Sequence, residues 1–277
     1  MEKHFIRGIL LFYLLLLFFS CATLPSSTTQ KIADKRVEFV ATGVGSPTVI
    51  FETGMGPTMR TWAPVFKDIS QISTALAYNR PGYGSSSYYH APTTVQGMAK
   101  ELHDNLLHLG YHPPYLLVGH SVGGLFMNMF ARLYPEDVAG ALFIDATHPE
   151  QFEYFKNKKS LMYSMLVGSS AKGARGYESN IVKSAYYEFQ EAPPFPEIPI
   201  KVLTAEKSFL LEGKKMREQW NHWQDDLAGL SAQSNHFIVE GSNHNIHENN
   251  PEIVIAEIRE MIYAIRENHD SQITKNK

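Results

Sequence analysis

Leu116-Leu117-Val118-Gly119-His120-Ser121-Val122-Gly123-Gly124 is an apolar run that ends at a serine boxed between glycines and then turns helical. Tyr115 to Val118 has the length of a short buried strand, and Leu125, Phe126, Met129, Phe130 and Leu133 come after it at helical spacing. A serine at such a strand-to-helix junction, in the pattern G-x-S-x-G, reads as a nucleophile elbow. Gly119 and Gly123 are needed there because a side chain at either position would collide with neighbouring backbone. The turn holds the Ser121 hydroxyl out of the sheet, beside the first N–H groups of the next helix. Those groups lack intrahelical partners and can stabilise an oxyanion. A Gly/Ser turn without chemistry would carry the same glycines. The strand before Ser121 and the helix after it favour the catalytic reading.

Residues 1–20 carry Lys3 and Arg7, then the apolar run Ile9 to Phe19, interrupted only by the phenol of Tyr13. The run is shorter than the roughly 20 residues that span a bilayer as a helix, and a basic start with a small residue at its end suits a cleaved export signal. Ser20-Cys21 resembles a bacterial lipoprotein processing site, in which the cysteine becomes the lipidated first residue. Cys21 is the single cysteine of the chain, so an intrachain disulfide is impossible and lipid attachment is its most economical use. The expectation is an exported lipoprotein anchored in a bacterial cell-envelope membrane; an uncleaved N-terminal anchor is the alternative. Residues 21–35, with Pro25, Ser26, Ser27, Thr28 and Thr29, lack apolar periodicity and read as a flexible tether.

Beyond the tether lie about 240 residues, enough for one α/β domain with a sizeable core. Hydrophobic residues make up 44% of the chain, and a formal net charge of −3 with no basic run argues against nucleic acid as a partner. Seven short apolar runs bounded by turn residues read as strands: Val37 to Ala41, Thr48 to Glu52, Thr74 to Asn79, Tyr115 to Val118, Ala141 to Ile144, Ile200 to Thr204 and His236 to Glu240. Several are apolar throughout, as strands covered on both faces are. Between them, Thr93 to Leu109 places Val95, Met98, Leu102, Leu106 and Leu109 on one helical face. Asn250-Pro251-Glu252 starts a final helix with Ile255, Ile258, Ile262 and Ile265 as its buried stripe. Alternation of strands and helices predicts a doubly wound, mostly parallel sheet. Asn268 to Lys277 reads as a polar tail.

Three further stretches, with the elbow, make residues 36–267 resemble a serine-dependent α/β-hydrolase. Thr48-Val49-Ile50-Phe51-Glu52-Thr53-Gly54-Met55-Gly56 is similar to the oxyanion segment after the third strand of that family, although many relatives have His-Gly where this chain has Glu52-Thr53-Gly54. Ala77-Tyr78-Asn79-Arg80-Pro81-Gly82-Tyr83-Gly84-Ser85 resembles the turn after the fourth strand, usually written with Asp in place of Asn79. Gly241-Ser242-Asn243-His244 resembles the histidine loop, with Asn243 where Gly is usual. Of the twelve histidines, most, such as His103 and His108, read as surface residues, whereas His244 comes after the last strand, where a base must hang over the serine. Arg80 reads as a locally paired side chain, and Glu52 as an anchor for its own loop.

The resemblance implies acyl transfer to water. His244 takes the proton of Ser121, backbone N–H groups of Met55 and Val122 hold the oxyanion, and water releases the acyl-enzyme. In this family the acid stands after the sixth or the seventh strand. The seventh-strand segment, Leu203 to Ser208, has no Asp, while Asp145 ends the buried run Ala141 to Ile144, which makes Asp145 the expected acid. One alternative stays open: Asp145 caps the lid's first helix, and Glu206 then serves as the acid. No cofactor is needed, and His244-Asn245-Ile246-His247 offers two histidines but no third metal ligand. Between the sixth and seventh strands, residues 148–199 are expected to form a helical lid. Phe152, Tyr154, Phe155, Leu161, Met162, Tyr163, Met165 and Leu166 would form its apolar underside, and Gly168, Gly173 and Gly176 its joints. Lys214 to Leu230 is a further helix that completes the cleft wall. An apolar acyl substrate fits this reading, whether ester, thioester or amide. The rival from another class is a surface lipoprotein that binds a ligand on a hydrolase fold without turning it over.

Overall fold

The structure, a computed structural model, describes residues 23–88, 90–167, 173–207 and 213–275. The export segment and Cys21 lie outside the described residues, as do Gly168 and Ser208. Strands β1 (Thr28–Ile32), β2 (Lys35–Thr42), β3 (Thr48–Glu52), β4 (Thr74–Tyr78), β5 (Tyr115–His120), β6 (Val138–Ile144), β7 (Ile200–Ala205) and β8 (Ser234–Val239) form one sheet. Its order is β1-β2-β4-β3-β5-β6-β7-β8. The pairs β1/β2 and β2/β4 are antiparallel and every later pair is parallel. The seven expected strands are all present.

The eighth, β1, lies inside the stretch read as a tether. Its side chains are almost all exposed. It is held by its backbone ladder to β2, with Thr28 opposite Phe39 and Ile32 opposite Lys35. An edge strand of this kind needs no buried face, so it lacks the apolar alternation by which strands are found in sequence.

Apolar strands serve two cores at once, because successive side chains point to opposite faces. In β5, Tyr115 and Leu117 join the layer under α2 (Val95–His108) and α3 (Val122–Leu133). Leu116 and Val118 join the opposite layer, under α1 (Ala63–Ser70) and α10 (Pro251–Lys275). Helix α2 starts where Thr94 caps it, its hydroxyl accepting from Gly97 N–H at 2.9 Å, and buries Val95, Met98, Ala99, Leu102 and Leu106. Helix α10 continues to Lys275, through the residues read as a polar tail: with no glycine or proline after Ile265, nothing stops it.

Between β6 and β7 stand α4 (Gln151–Lys158), α5 (Ser160–Val167), α6 (Gly173–Val182) and α7 (Ala185–Gln190); α8 (Gly213–Ala228) comes after β7 and α9 (Ile246–Asn249) precedes α10. Phe152 and Phe155 are buried as expected, but Leu161 and Met165 of α5 are 70% and 62% exposed. Met162 and Tyr163 of that helix pack inward against the buried cluster of Phe155, Met216, Trp220 and Trp223, while Leu161 and Met165 stand outside that contact. Among the described residues, no helix is long and apolar enough to cross a membrane.

Candidate active site

Ser121 sits between β5 and α3 with φ 53° and ψ −125°. Such a conformation costs a non-glycine residue on the order of 1–3 kcal/mol and persists only where its surroundings over-determine it. Here they do. The Ser121 N–H donates to the Ile144 carbonyl at 3.1 Å, and its own carbonyl accepts from the N–H groups of Gly124 and Thr147, both at 2.9 Å. A Cβ at Gly119 would lie 2.6 Å from Gly124 Cα, and one at Gly123 would lie 2.4 Å from the Glu52 carbonyl oxygen. Both glycines are therefore fixed by close backbone approach, as their spacing predicts. Val122 opens α3, so its N–H has no partner within the helix.

Facing the elbow, the loop after β3 runs Thr53-Gly54-Met55. A Cβ at Gly54 would lie 3.2 Å from Ser121 Cβ and 3.0 Å from His120 Nδ1. The Gly54–Met55 peptide thus stands beside the serine, which leaves no room for a side chain at Gly54.

Asp145 stands at the end of β6, has φ 42° and is fully buried. Its Oδ2 is 2.7 Å from His244 Nδ1. Its Oδ1 accepts from Ala205 N–H at 3.1 Å and from the indole Nε1–H of Trp220 at 2.9 Å. Three donors on one buried carboxylate compensate its desolvation. Glu206 is exposed and accepts instead from Gly241 N–H at 2.8 Å. The first inserted helix, α4, is preceded by Glu150, so Asp145 does not cap it. Of the two candidate acids, Asp145 meets the histidine.

His244 hangs from the loop after β8 with a quarter of its side chain exposed. Its backbone carbonyl lies 2.9 Å from His120 Nε2, which therefore carries the proton in that contact. The His120 ring is 4.6 Å from the His244 ring and 4.5 Å from that of His247. Burial, and then the neighbouring histidines, holds His120 well below the usual histidine range. His247, packed 4.4 Å from the Trp62 ring, is pushed down to about 3 by burial and then by His244. Both stay neutral. Among the described residues, no group of three or more His, Cys, Asp or Glu side chains is placed to hold a metal ion.

Two departures from the family pattern acquire reasons. Asn79 donates from Nδ2 to Glu38 Oε2 at 2.8 Å and accepts at Oδ1 from Met59 N–H at 2.9 Å. An aspartate there would set two carboxylates face to face, so the carboxylate on β2 calls for an amide after β4. Glu52 is buried beside Arg80 and also accepts from its neighbour, Thr53 N–H, at 3.1 Å. Arg80 is not only locally paired, because it also meets Glu178 of α6, 98 residues on.

Three residues near the site carried no functional signal in the sequence. Trp220 lies in α8, the helix expected to complete the cleft wall, and its sequence position says nothing of the partner that a buried indole N–H needs. His120 is the unspecified residue of the elbow pattern, and Glu178 lies in the inserted segment. His103, read as surface, is in fact mostly covered: it stacks on Tyr134 at 3.7 Å and pairs with Asp137 at 2.7 Å.

A sequence profile of the alpha/beta hydrolase fold matches residues 47–176. The chain is similar to YqjL of Bacillus subtilis, 26% identical over an alignment of 221 positions that covers 76% of this chain and 82% of that one. It is similar to human Epoxide hydrolase 4, 26% identical over 66% of this chain but only 48% of that protein's length. Among solved structures, a thermophilic esterase from Thermogutta terrifontis superposes with a TM-score of 0.62 at 17% identity, covering 87% of this chain and 99% of that one. Sheet order, elbow, profile and superposition agree: the chain has the alpha/beta hydrolase fold.

Proposed function

We propose that this protein is a serine hydrolase that cleaves a carboxylic ester, or a related thioester or amide, through an acyl-enzyme. The observation that carries the reading is the 2.7 Å contact of Asp145 Oδ2 with His244 Nδ1, made at the same end of the sheet as the strained serine. With Nδ1 committed to Asp145, His244 keeps Nε2 for the serine proton. As Ser121 Oγ bonds to the carbonyl carbon, that proton passes to His244, and the carbonyl oxygen takes negative charge against the N–H groups of Met55 and Val122. His244 then protonates the leaving group as its bond to carbon breaks. Water, deprotonated by the same ring, releases the acid and restores Ser121. Asp145 orients the ring and stabilises its cation. None of these steps calls on a cofactor.

The helices between β6 and β7 act as the lid in this reading. Phe155, Met216, Trp220 and Trp223 form a buried cluster with Tyr154, Met162 and Tyr163 packed against it, and Trp220 touches the His244 ring edge-on at 6.1 Å. Apolar surface that reaches the base favours an apolar acyl group. Epoxide hydrolases of this family place Asp at the elbow, so Ser121 argues for acyl chemistry despite the likeness to Epoxide hydrolase 4. A ligand-binding lipoprotein without turnover would have no use for a strained serine at the same end of the sheet as a carboxylate-bound histidine. The enzyme is further read as a cell-envelope lipoprotein, held at a membrane through lipid on Cys21, with a small acyl compound rather than nucleic acid as its partner.

Fluorophosphonate labelling of wild type and Ser121→Ala tests the reading. Labelling is expected only in wild type, with kcat on a panel of acyl esters falling by about 10⁶ in the variant. Labelling that persists in Ser121→Ala would sink it.

A further inference from the structure

Arg80, Glu52 and Glu178 form a fully buried charge cluster behind the loop that faces Ser121. The guanidinium meets Glu52 of β3 at Nη1 and Glu178 of α6 at Nε. It also donates from Nη1 to the Thr53 carbonyl at 2.6 Å and from Nη2 to the Gly54 carbonyl at 2.8 Å. The last contact matters most. The Gly54 C=O and the Met55 N–H belong to one planar trans peptide, so they point in opposite directions. A donor that grips the carbonyl from behind thereby aims the Met55 N–H away from Arg80.

Tyr83 works on the next peptide. Its hydroxyl accepts from Gly56 N–H at 3.0 Å and donates to Glu178 Oε2 at 2.7 Å. Ser179, the neighbour of Glu178, lies with its Oγ 3.7 Å from Met55 Sδ. One residue of the inserted helix α6 thus holds both side chains, Arg80 and Tyr83, that grip the loop on either side of Met55.

We propose that Glu178 is a positioning residue: by clamping Arg80 and Tyr83 it fixes the Gly54–Met55–Gly56 backbone, so that the oxyanion donor is in place only when helix α6 is seated on the core. The proposal deepens the serine-hydrolase reading and rests on it for its catalytic half. Its structural half, that α6 orders the loop, stands on the contacts alone. The consequence is a coupling between the inserted helices and the transition state. Substrate contacts that favour seating of α6 would also complete the hole for the developing oxyanion, and a poorly seated α6 would leave substrate bound but slowly turned over.

The test uses two variants of the full chain, Glu178→Gln and Tyr83→Phe, the second removing one hydroxyl as a guard against misfolding in the first. Kinetics on p-nitrophenyl esters and amide hydrogen exchange at residues 54–56 are measured on both. The expected result is a fall in kcat of about tenfold or more with KM within about twofold, together with faster exchange at 54–56 and unchanged exchange in β5. A rise in KM at constant kcat, or exchange at 54–56 equal to wild type in both variants, would overturn the proposal. If wild type itself shows no Ser121-dependent labelling, the nucleophile assignment fails instead, and the exchange measurement still decides whether Glu178 orders the loop.

Discussion

Trp220 Nε1 donates a 2.9 Å hydrogen bond to Oδ1 of Asp145, the carboxylate whose other oxygen meets His244. This contact brings α8, which lies after β7, into the support of a residue at the end of β6. It fixes the carboxylate plane from the side opposite the histidine and supplies one of its three donors.

Trp220→Phe should therefore do more than thin the core. Removing a donor from a fully buried carboxylate costs about 1–3 kcal/mol of stability, and a carboxylate free to rotate should lower kcat by about tenfold. Trp223→Phe is the control, one turn away in the same cluster, and should cost stability while leaving kcat within about twofold. Urea unfolding and steady-state kinetics on both variants check this. Equal kcat values for the two would reduce Trp220 to a packing residue.

Asp145→Asn should lower kcat by roughly 10³ to 10⁴ while the protein stays folded, because the amide cannot stabilise the imidazolium and favours the wrong tautomer. Glu206→Gln should change kcat little, since that carboxylate accepts from Gly241 N–H on the surface. A nearly active Asp145→Asn beside a dead Glu206→Gln would move the acid to the seventh strand and leave Ser121 and His244 in place.

The elbow was legible because its requirements are local: an apolar strand, two glycines forced by backbone approach and a helix all lie within about twenty residues. The doubly wound sheet was legible for a related reason, since strands covered on both faces stand out as short apolar runs. Arg80 and Glu178 were not legible together. Each is an ordinary charge in its own segment, and only the packing of α6 onto the turn after β4 joins them. The same holds for His247, whose burial against Trp62 depends on where α9 lands. Strand β1 carries no signal of its own because an exposed edge strand is specified by its partner's backbone and not by a buried face.

Cys21 is expected to carry the lipid once the segment ending at Ser20 is removed, as its solitary position at the end of an export segment implies. Cys21→Ala should move the protein from the detergent phase to the aqueous one or leave it unprocessed. A mature N-terminus elsewhere, found by mass spectrometry with Cys21 unmodified, would contradict the lipoprotein assignment and leave the enzymatic one untouched.

Stability should fall as the solution is acidified below about pH 6.5, and the buried histidines supply the reason. His247 is held neutral down to about pH 3 and His148 down to about pH 4, each chiefly by burial, and His120 is displaced in the same direction. About a pH unit or more above about 6.5, the ordinary histidine value, neither the folded nor the unfolded chain protonates these rings appreciably, so their contribution is fully present. Below it the unfolded chain takes up protons that the folded chain refuses. Each such ring then tilts the balance toward unfolding by up to about 1.4 kcal/mol per pH unit until its folded value is reached. Glu52 works the other way, since burial raises its pKa. One carboxyl shifted upward opposes three rings shifted downward. Urea midpoints measured at about pH 8.5, 7.5 and 5.5 should be nearly level across the first interval and drop across the second. His247→Phe, which keeps the ring against Trp62 and removes the proton site, should flatten the drop by about a third. The same drop in wild type and variant would show that His247 is not among the groups responsible.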